Sequence, residues 1–192
     1  MEKVAVFGGS FDPVHKAHAR MAELALESFN LKKVIFVPAY AAPHKTKQYA
    51  GINERIAMLK LALRDIKKAE ISFYEAEKKD KVYSYETLDY FQALYPQGRI
   101  LMIIGSDSLL ELPTWKSIDY IAEKYGFIVA KRPGANIDAN TKYAQNCLFM
   151  EPAMPDISST FIRELVRKND KTAAEFLDGK VFDYIKENGL YK

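Results

Sequence analysis

Val4-Ala5-Val6-Phe7-Gly8-Gly9-Ser10-Phe11-Asp12-Pro13-Val14-His15-Lys16-Ala17-His18 is the stretch from which the fold is read. Val4 to Phe7 is an apolar, β-favouring run, the pattern of a parallel strand buried on both faces. Gly8-Gly9 ends it and lets the chain turn tightly or lets another group come close. Asp12-Pro13 marks a loop. From about residue 16 to 29, Met21, Leu24, Ala25 and Ser28 share one stripe of an amphipathic helix. The order is therefore strand, glycine turn, helix N-terminus. In an α/β sheet that junction gathers free N–H groups and the positive end of a helix dipole at one point, which suits an anion. His15 and His18, at i and i+3, set two imidazoles on one side of the helix start. The third of the chain's three histidines, His44, lies in Pro43-His44-Lys45. Imidazoles and a lysine gathered there suit phosphate oxygens. The chain has neither a Walker-A pattern nor G-x-G-x-x-G, so this is not one of the two common phosphate loops.

The rest of the composition is that of an ordinary soluble globular protein. With 192 residues, 48% apolar and 28% charged, residues 1–192 read as a single domain with a sizeable core. A net charge of +3 is far from a nucleic-acid footprint. One cysteine, Cys147, excludes an internal disulfide, reads as a core thiol and fits a reducing compartment. No apolar run reaches membrane-spanning length, and glycine and aspartate come too early for a signal peptide. The expected compartment is the cytoplasm, with neither nucleic acid nor membrane as partner. Homo-oligomerisation is left open.

Outward from the first segment, strands and helices alternate. Val34–Val37 is a second buried strand, closed by Pro38, and residues 38–51 form a basic loop at its carboxyl end. A helix spans about 53–67, in which Arg55 reads as a solvated residue. Residues 70–75 alternate as a third strand. Ser84 is a plausible N-cap for a helix running to about Tyr95. Ile100–Ile104 is the most apolar strand, hence central, and ends in Gly105-Ser106-Asp107 at the edge where such sheets bind ligands. A helix at 116–124, strands at 127–130 and 148–150, and helices to about 168, over 171–178 and ending near Gly189 complete the chain. Alternation from end to end predicts an α/β fold: a Rossmann-like, doubly wound, mostly parallel sheet flanked by helices, with a small helical C-terminal end.

Gly8-Gly9-Ser10-Phe11-Asp12-Pro13-Val14-His15-x-x-His18 resembles the G-G-[ST]-F-D-P-x-H-x-G-H motif of the nucleotidyltransferase superfamily with an H-x-G-H signature. Within it, the chain is most similar to the bacterial nicotinate-mononucleotide adenylyltransferases. Ala17 stands where that family usually has glycine, and a slightly tighter fit is expected there. The resemblance continues through Pro43-His44-Lys45, Arg55, Tyr83 with Glu86-Thr87-Leu88, Gly105-x-Asp107, Trp115 and Arg132-Pro133-Gly134. It ends on Ile157-Ser158-Ser159-Thr160-Phe161-Ile162-Arg163, a complete I-S-S-T-x-I-R motif. Val82 and Ser84 depart from the family's Ser and Thr.

The resemblance implies transfer of AMP from ATP to nicotinate mononucleotide, giving deamido-NAD and pyrophosphate, with Mg²⁺ held mainly by the ATP phosphates and no acidic protein cage. It assigns His15, His18 and Arg163 to catalysis. Gly8, Gly9, Ser10, Phe11, Gly105, Asp107, Ser158, Ser159 and Thr160 fall to ATP, and His44, Lys45, Tyr83, Thr87, Trp115 and Arg132 to the mononucleotide. Read without the resemblance, Ser158–Thr160 is a helix cap, Trp115 a core residue and Tyr83–Thr87 capping with aromatic packing. Three other readings stay open on residues alone: a zinc site on His15 and His18 completed by Asp12 and His44, a sibling enzyme acting on nicotinamide mononucleotide or phosphopantetheine, and a non-catalytic nucleotide sensor.

Overall fold

A computed structural model describes residues 1–41, 48–134, 137, 141–152 and 154–192. Among the described residues six strands form one sheet: β1 (Lys3–Gly9), β2 (Lys33–Pro38), β3 (Ala69–Ile71), β4 (Arg99–Gly105), β5 (Phe127–Ala130) and β6 (Cys147–Met150). Every pairing is parallel, in the order β3-β2-β1-β4-β5-β6. This is the doubly wound arrangement expected from the alternation, and its topological switch lies between β1 and β4.

Period-two alternation sorts each strand between two cores. Ala5 and Phe7, Leu101 and Ile103, and Ile128 and Ala130 face one side. Val4 and Val6, Ile100, Met102 and Ile104, and Phe127 and Val129 face the other. The first side is covered by α1 (Lys16–Ser28), α2 (Ile52–Leu63), α7 (Ser159–Arg167) and α9 (Gly179–Glu187). The second is covered by α4 (Ser84–Leu94) and α6 (Ile118–Lys124). Short helices α3 (Tyr74–Lys78), α5 (Ser106–Glu111) and α8 (Ala173–Phe176) fill the connections. Gly189, at φ +60, closes α9, as expected of a C-cap glycine.

Several local expectations are corrected. β1 does not stop before the glycines: Gly8 and Gly9 pair with Val37 and Pro38. A Cβ on Gly9 would stand 3.0 Å from the Phe11 ring, so the glycine is there for close approach and not for a turn. The third strand ends at Ile71, and Tyr74–Lys78 turns into a helix, which carries Glu75 inward. Tyr83, not Ser84, is the N-cap of α4, and its N–H donates to the Glu86 carboxylate at 2.9 Å. Arg55 is not solvated but fully buried. The helix over 171–178 shrinks to Ala173–Phe176. Cys147 is half-buried and not a core thiol; burial pushes it up to about 11.

Candidate active site

A cavity of about 440 Å³ opens at the carboxyl edge of the sheet, across the switch between β1 and β4. That volume suits a small organic ligand. One wall comes from α1 and α7 (His15, Ala17, His18, Ser158, Ser159, Thr160) and the other from α4 and its surroundings (Val82, Ser84, Thr87, Leu88, Trp115). Gly8, Gly9, Ser10, Phe11, Gly105, Asp107 and Arg132 line the space between. A Cβ at Gly105 would meet nothing within 4 Å, so that glycine opens directly onto empty volume.

His15 is the N-cap of α1, with extended backbone (φ −140, ψ 170). Its side chain is buried, and Nδ1 has no hydrogen-bond partner among the described residues. Burial, helped by the charge of Arg132, lowers its pKa to about 3. The ring is therefore a neutral imidazole near pH 7. His18 stacks on it at 3.7 Å between centroids, and the His15 N–H donates to His18 Nδ1 at 3.2 Å. With Nδ1 accepting, a neutral His18 carries its proton on Nε2. The edge of Phe11 supports the His18 ring from below at 5.1 Å.

The stretch Ile157–Arg163 is stitched to the first motif. Ser158 caps α7 by accepting from Phe161 N–H at 3.2 Å, so that part of the capping reading holds. Ser159 Oγ donates to the Pro13 carbonyl at 2.9 Å, and the Arg163 guanidinium donates to the Asp12 carbonyl at 2.7 Å and to Thr160 Oγ1 at 3.0 Å. The two helix starts thus sit side by side, each with first-turn N–H groups that have no partner inside its own helix. Arg163 itself does not line the cavity; it stacks on the Tyr49 ring at 4.2 Å.

Arg132 supplies a cation to the cavity, paired with Asp107 at 3.1 Å and Asp156 at 3.4 Å. Thr87 Oγ1 donates to Glu75 Oε1 at 2.7 Å. Glu75 lines the cavity too, and burial raises its pKa to about 6. Sequence reasoning missed it because the alternation over 70–75 read as strand. Tyr83 is not brought to the cavity; its ring lies under Lys116 Nζ at 4.2 Å. His44 and Lys45 lie outside the described residues. Among the described residues no group of three or more His, Cys, Asp or Glu is placed to hold a metal ion, and both Asp12 oxygens accept hydrogen bonds instead. No helix among them is long and apolar enough to cross a membrane.

Arg55 is the support that sequence reasoning undervalued. Its guanidinium donates to the carbonyls of Ser10 (2.8 Å), Ala39 (2.8 Å) and Ala50 (3.2 Å), and to Gln48 Oε1 at 3.3 Å. One planar fork therefore holds the loop after β1 against the chain on both sides of residues 42–47.

Residues 6–165 match the cytidylyltransferase-like family. The "Probable nicotinate-nucleotide adenylyltransferase" of Endomicrobium trichonymphae is 58% identical over 193 residues, with 100% of each chain covered. The chain belongs to this nucleotidyltransferase family. A protein of the same printed name from Clostridium tetani is 37% identical over 201 residues, again with both chains fully covered. The fold of the nucleotidyltransferase chain is also that of the Plasmodium falciparum nicotinic acid mononucleotide adenylyltransferase complexed with NaAD: TM-score 0.86 at 18% identity, covering 100% of this chain and 98% of that one.

Proposed function

We propose that this nucleotidyltransferase transfers AMP from ATP to nicotinate mononucleotide, forming deamido-NAD and pyrophosphate in NAD biosynthesis. The full-length relatives bear the name of that activity. The observation that carries the reading is the placement of His15: a buried imidazole whose Nδ1 has no partner among the described residues, in a cavity shared with the start of α7. A phosphate oxygen of the mononucleotide attacks the α-phosphorus of ATP. A new P–O bond forms, the bond to the bridging α–β oxygen breaks, and pyrophosphate leaves.

Positioning and charge stabilisation supply the catalysis. His15, a neutral imidazole, and His18 donate hydrogen bonds to the α-phosphate oxygens as charge builds there. Gly8, Gly9, Ser10 and Phe11 keep β1 close to the nucleotide, with Gly105 and Asp107 opposite. Ser158, Ser159 and Thr160 receive the leaving phosphates through the α7 N-terminus, and Arg163 holds that start in place through Asp12. Arg132, Thr87 and Trp115 take the mononucleotide, with Trp115 as a wall for the pyridine ring. The only cavity carboxylates among the described residues, Asp107 and Glu75, are each paired elsewhere, which fits Mg²⁺ carried on the triphosphate and its waters. When bound, Mg²⁺ neutralises part of the triphosphate charge. We read residues 1–192 as one catalytic domain working in the cytoplasm.

The test is pyrophosphate release from ATP and Mg²⁺ with nicotinate mononucleotide and nicotinamide mononucleotide in parallel, on the parent and His18→Ala. Preferred release with the nicotinate form, lost in His18→Ala, is expected. Release only with the nicotinamide form changes the substrate and keeps the mechanism. No release with either overturns the reading.

A further inference from the structure

Tyr191 lies 179 residues from Asp12, yet its hydroxyl donates to Asp12 Oδ1 at 2.7 Å in the interior of the molecule. Asp12 is 3% exposed and Tyr191 8%. The same carboxylate accepts from Ala50 N–H at 3.1 Å through Oδ1 and from Tyr49 N–H at 2.8 Å through Oδ2. Asp12's own carbonyl accepts from Arg163. Three segments therefore meet at one residue: the approach to His15, the chain just after residue 47, and the α7 start. Tyr191 is the side chain that closes this set from the fourth direction. It does so from a left-handed backbone, φ +64, which a tyrosine rarely adopts. Burial and the adjacent Asp12 carboxylate push its hydroxyl far above the usual phenol range, so it stays a donor.

We propose that Tyr191 is a positioning residue for adenylyl transfer: its hydrogen bond to Asp12 sets the place of the His15–His18 pair against the start of α7. The inference rests on the reaction proposed above. It explains why the aspartate of the first motif is buried and hydrogen-bonded on both oxygens, although it does not line the cavity. Without the hydroxyl, the buried carboxylate keeps two backbone donors among the described residues, and the loop relaxes toward a better-satisfied geometry. Displacement of a positioned group by a fraction of an ångström shows in kcat, because the two imidazoles act most strongly in the transition state.

Tyr191→Phe removes the hydroxyl alone. Met58→Leu is the control, because Met58 packs on the same hydroxyl through Sδ at 4.0 Å but donates nothing to Asp12. Tyr191→Phe is expected to lower kcat about tenfold, with KM for both substrates within about twofold. Met58→Leu is expected to keep kcat within about twofold at a comparable thermal midpoint. The second readout needs no turnover: the Cε1–H resonances of His15 and His18, among only three histidines, shift in folded Tyr191→Phe and not in Met58→Leu. Equal kcat in parent and Tyr191→Phe, equal losses in both variants, or unmoved imidazole resonances overturn the proposal. A parent that releases no pyrophosphate overturns the proposed reaction instead, and the resonances then decide the Tyr191 question alone.

Discussion

His15 and His18 lie ring on ring, 28° from parallel, and burial has stripped His15 of most of its affinity for a proton. His15 thus meets an incoming polyphosphate as a donor without positive charge. Folding also imposes a cost at low pH. The folded pKa of about 3 lies below the ordinary 6.5, so between those values the unfolded chain binds the extra proton. Stability from this group is complete above pH 6.5 and is lost as pH falls, at about 1.4 kcal/mol per unit. Urea midpoints at pH 7 and 4.5 check this. The parent is expected to lose about 2.5 kcal/mol more than His15→Asn over that interval, and parallel losses would refute it.

Glu75 has the opposite sign. Its folded pKa, about 6, is above the ordinary 4.5, so the folded protein holds the extra proton between them and loses stability as pH rises through 6. Glu75→Gln keeps an acceptor for Thr87 and removes the ionisation. It is expected to be about 2 kcal/mol more stable than the parent at pH 8, with no advantage below pH 4.5. Chemical denaturation at the two pH values measures the difference.

Arg55 cannot be replaced by the other common cation. A lysine offers one nitrogen where the guanidinium reaches three carbonyls and a side-chain amide. Arg55→Lys is expected to cost about 3 kcal/mol, or roughly 10 °C in thermal midpoint, by leaving buried carbonyls unsatisfied. A melt within a degree or two of the parent would show that the fork is dispensable.

Gly9 and Gly105 make a matched pair. An added methyl at Gly9 runs into the Phe11 ring, whereas at Gly105 it enters open cavity. Gly9→Ala should lower stability by about 1–3 kcal/mol, and Gly105→Ala should leave it within about 0.5 kcal/mol while weakening substrate binding. Melting curves alongside KM values distinguish the two; a destabilised Gly105→Ala would mean that the space there is not free.

Trp115 lines the cavity on the α4 side and is half-buried. Trp115→Ala is expected to raise KM for nicotinate mononucleotide about tenfold, the worth of one stacking contact, with KM for ATP within about threefold. Equal effects on both substrates would move the tryptophan out of the pyridine site.

The sheet and most cavity residues were legible in the sequence because the signals are local. Buried parallel strands are short apolar runs, and helix starts carry their own caps. What stayed hidden depends on long-range contact. Arg55 looks solvated in a helical wheel because nothing nearby in sequence announces the carbonyls it will meet. Glu75 sits in a stretch whose alternation mimics a strand, and only packing turns it into a helix facing Thr87. Tyr191 carries no motif at all; its partner is at the far end of the sequence. The resemblance assigns Arg163 to catalysis, and the geometry engages it with the Asp12 carbonyl and Thr160, contacts that no local pattern announces.

The seam between Pro13 and Ser159 sets a schedule for synthesis. Those residues are 146 positions apart, and the cavity is lined by Ser159 and by His15, two residues past Pro13. At about 5–20 residues per second, the ribosome takes roughly 7–30 s to pass from one to the other. Throughout that interval the nascent β1–α1 unit exposes a histidine pair with half its surroundings missing. Nucleotide therefore cannot template the early steps of folding, and it can stabilise only a chain that is already nearly complete.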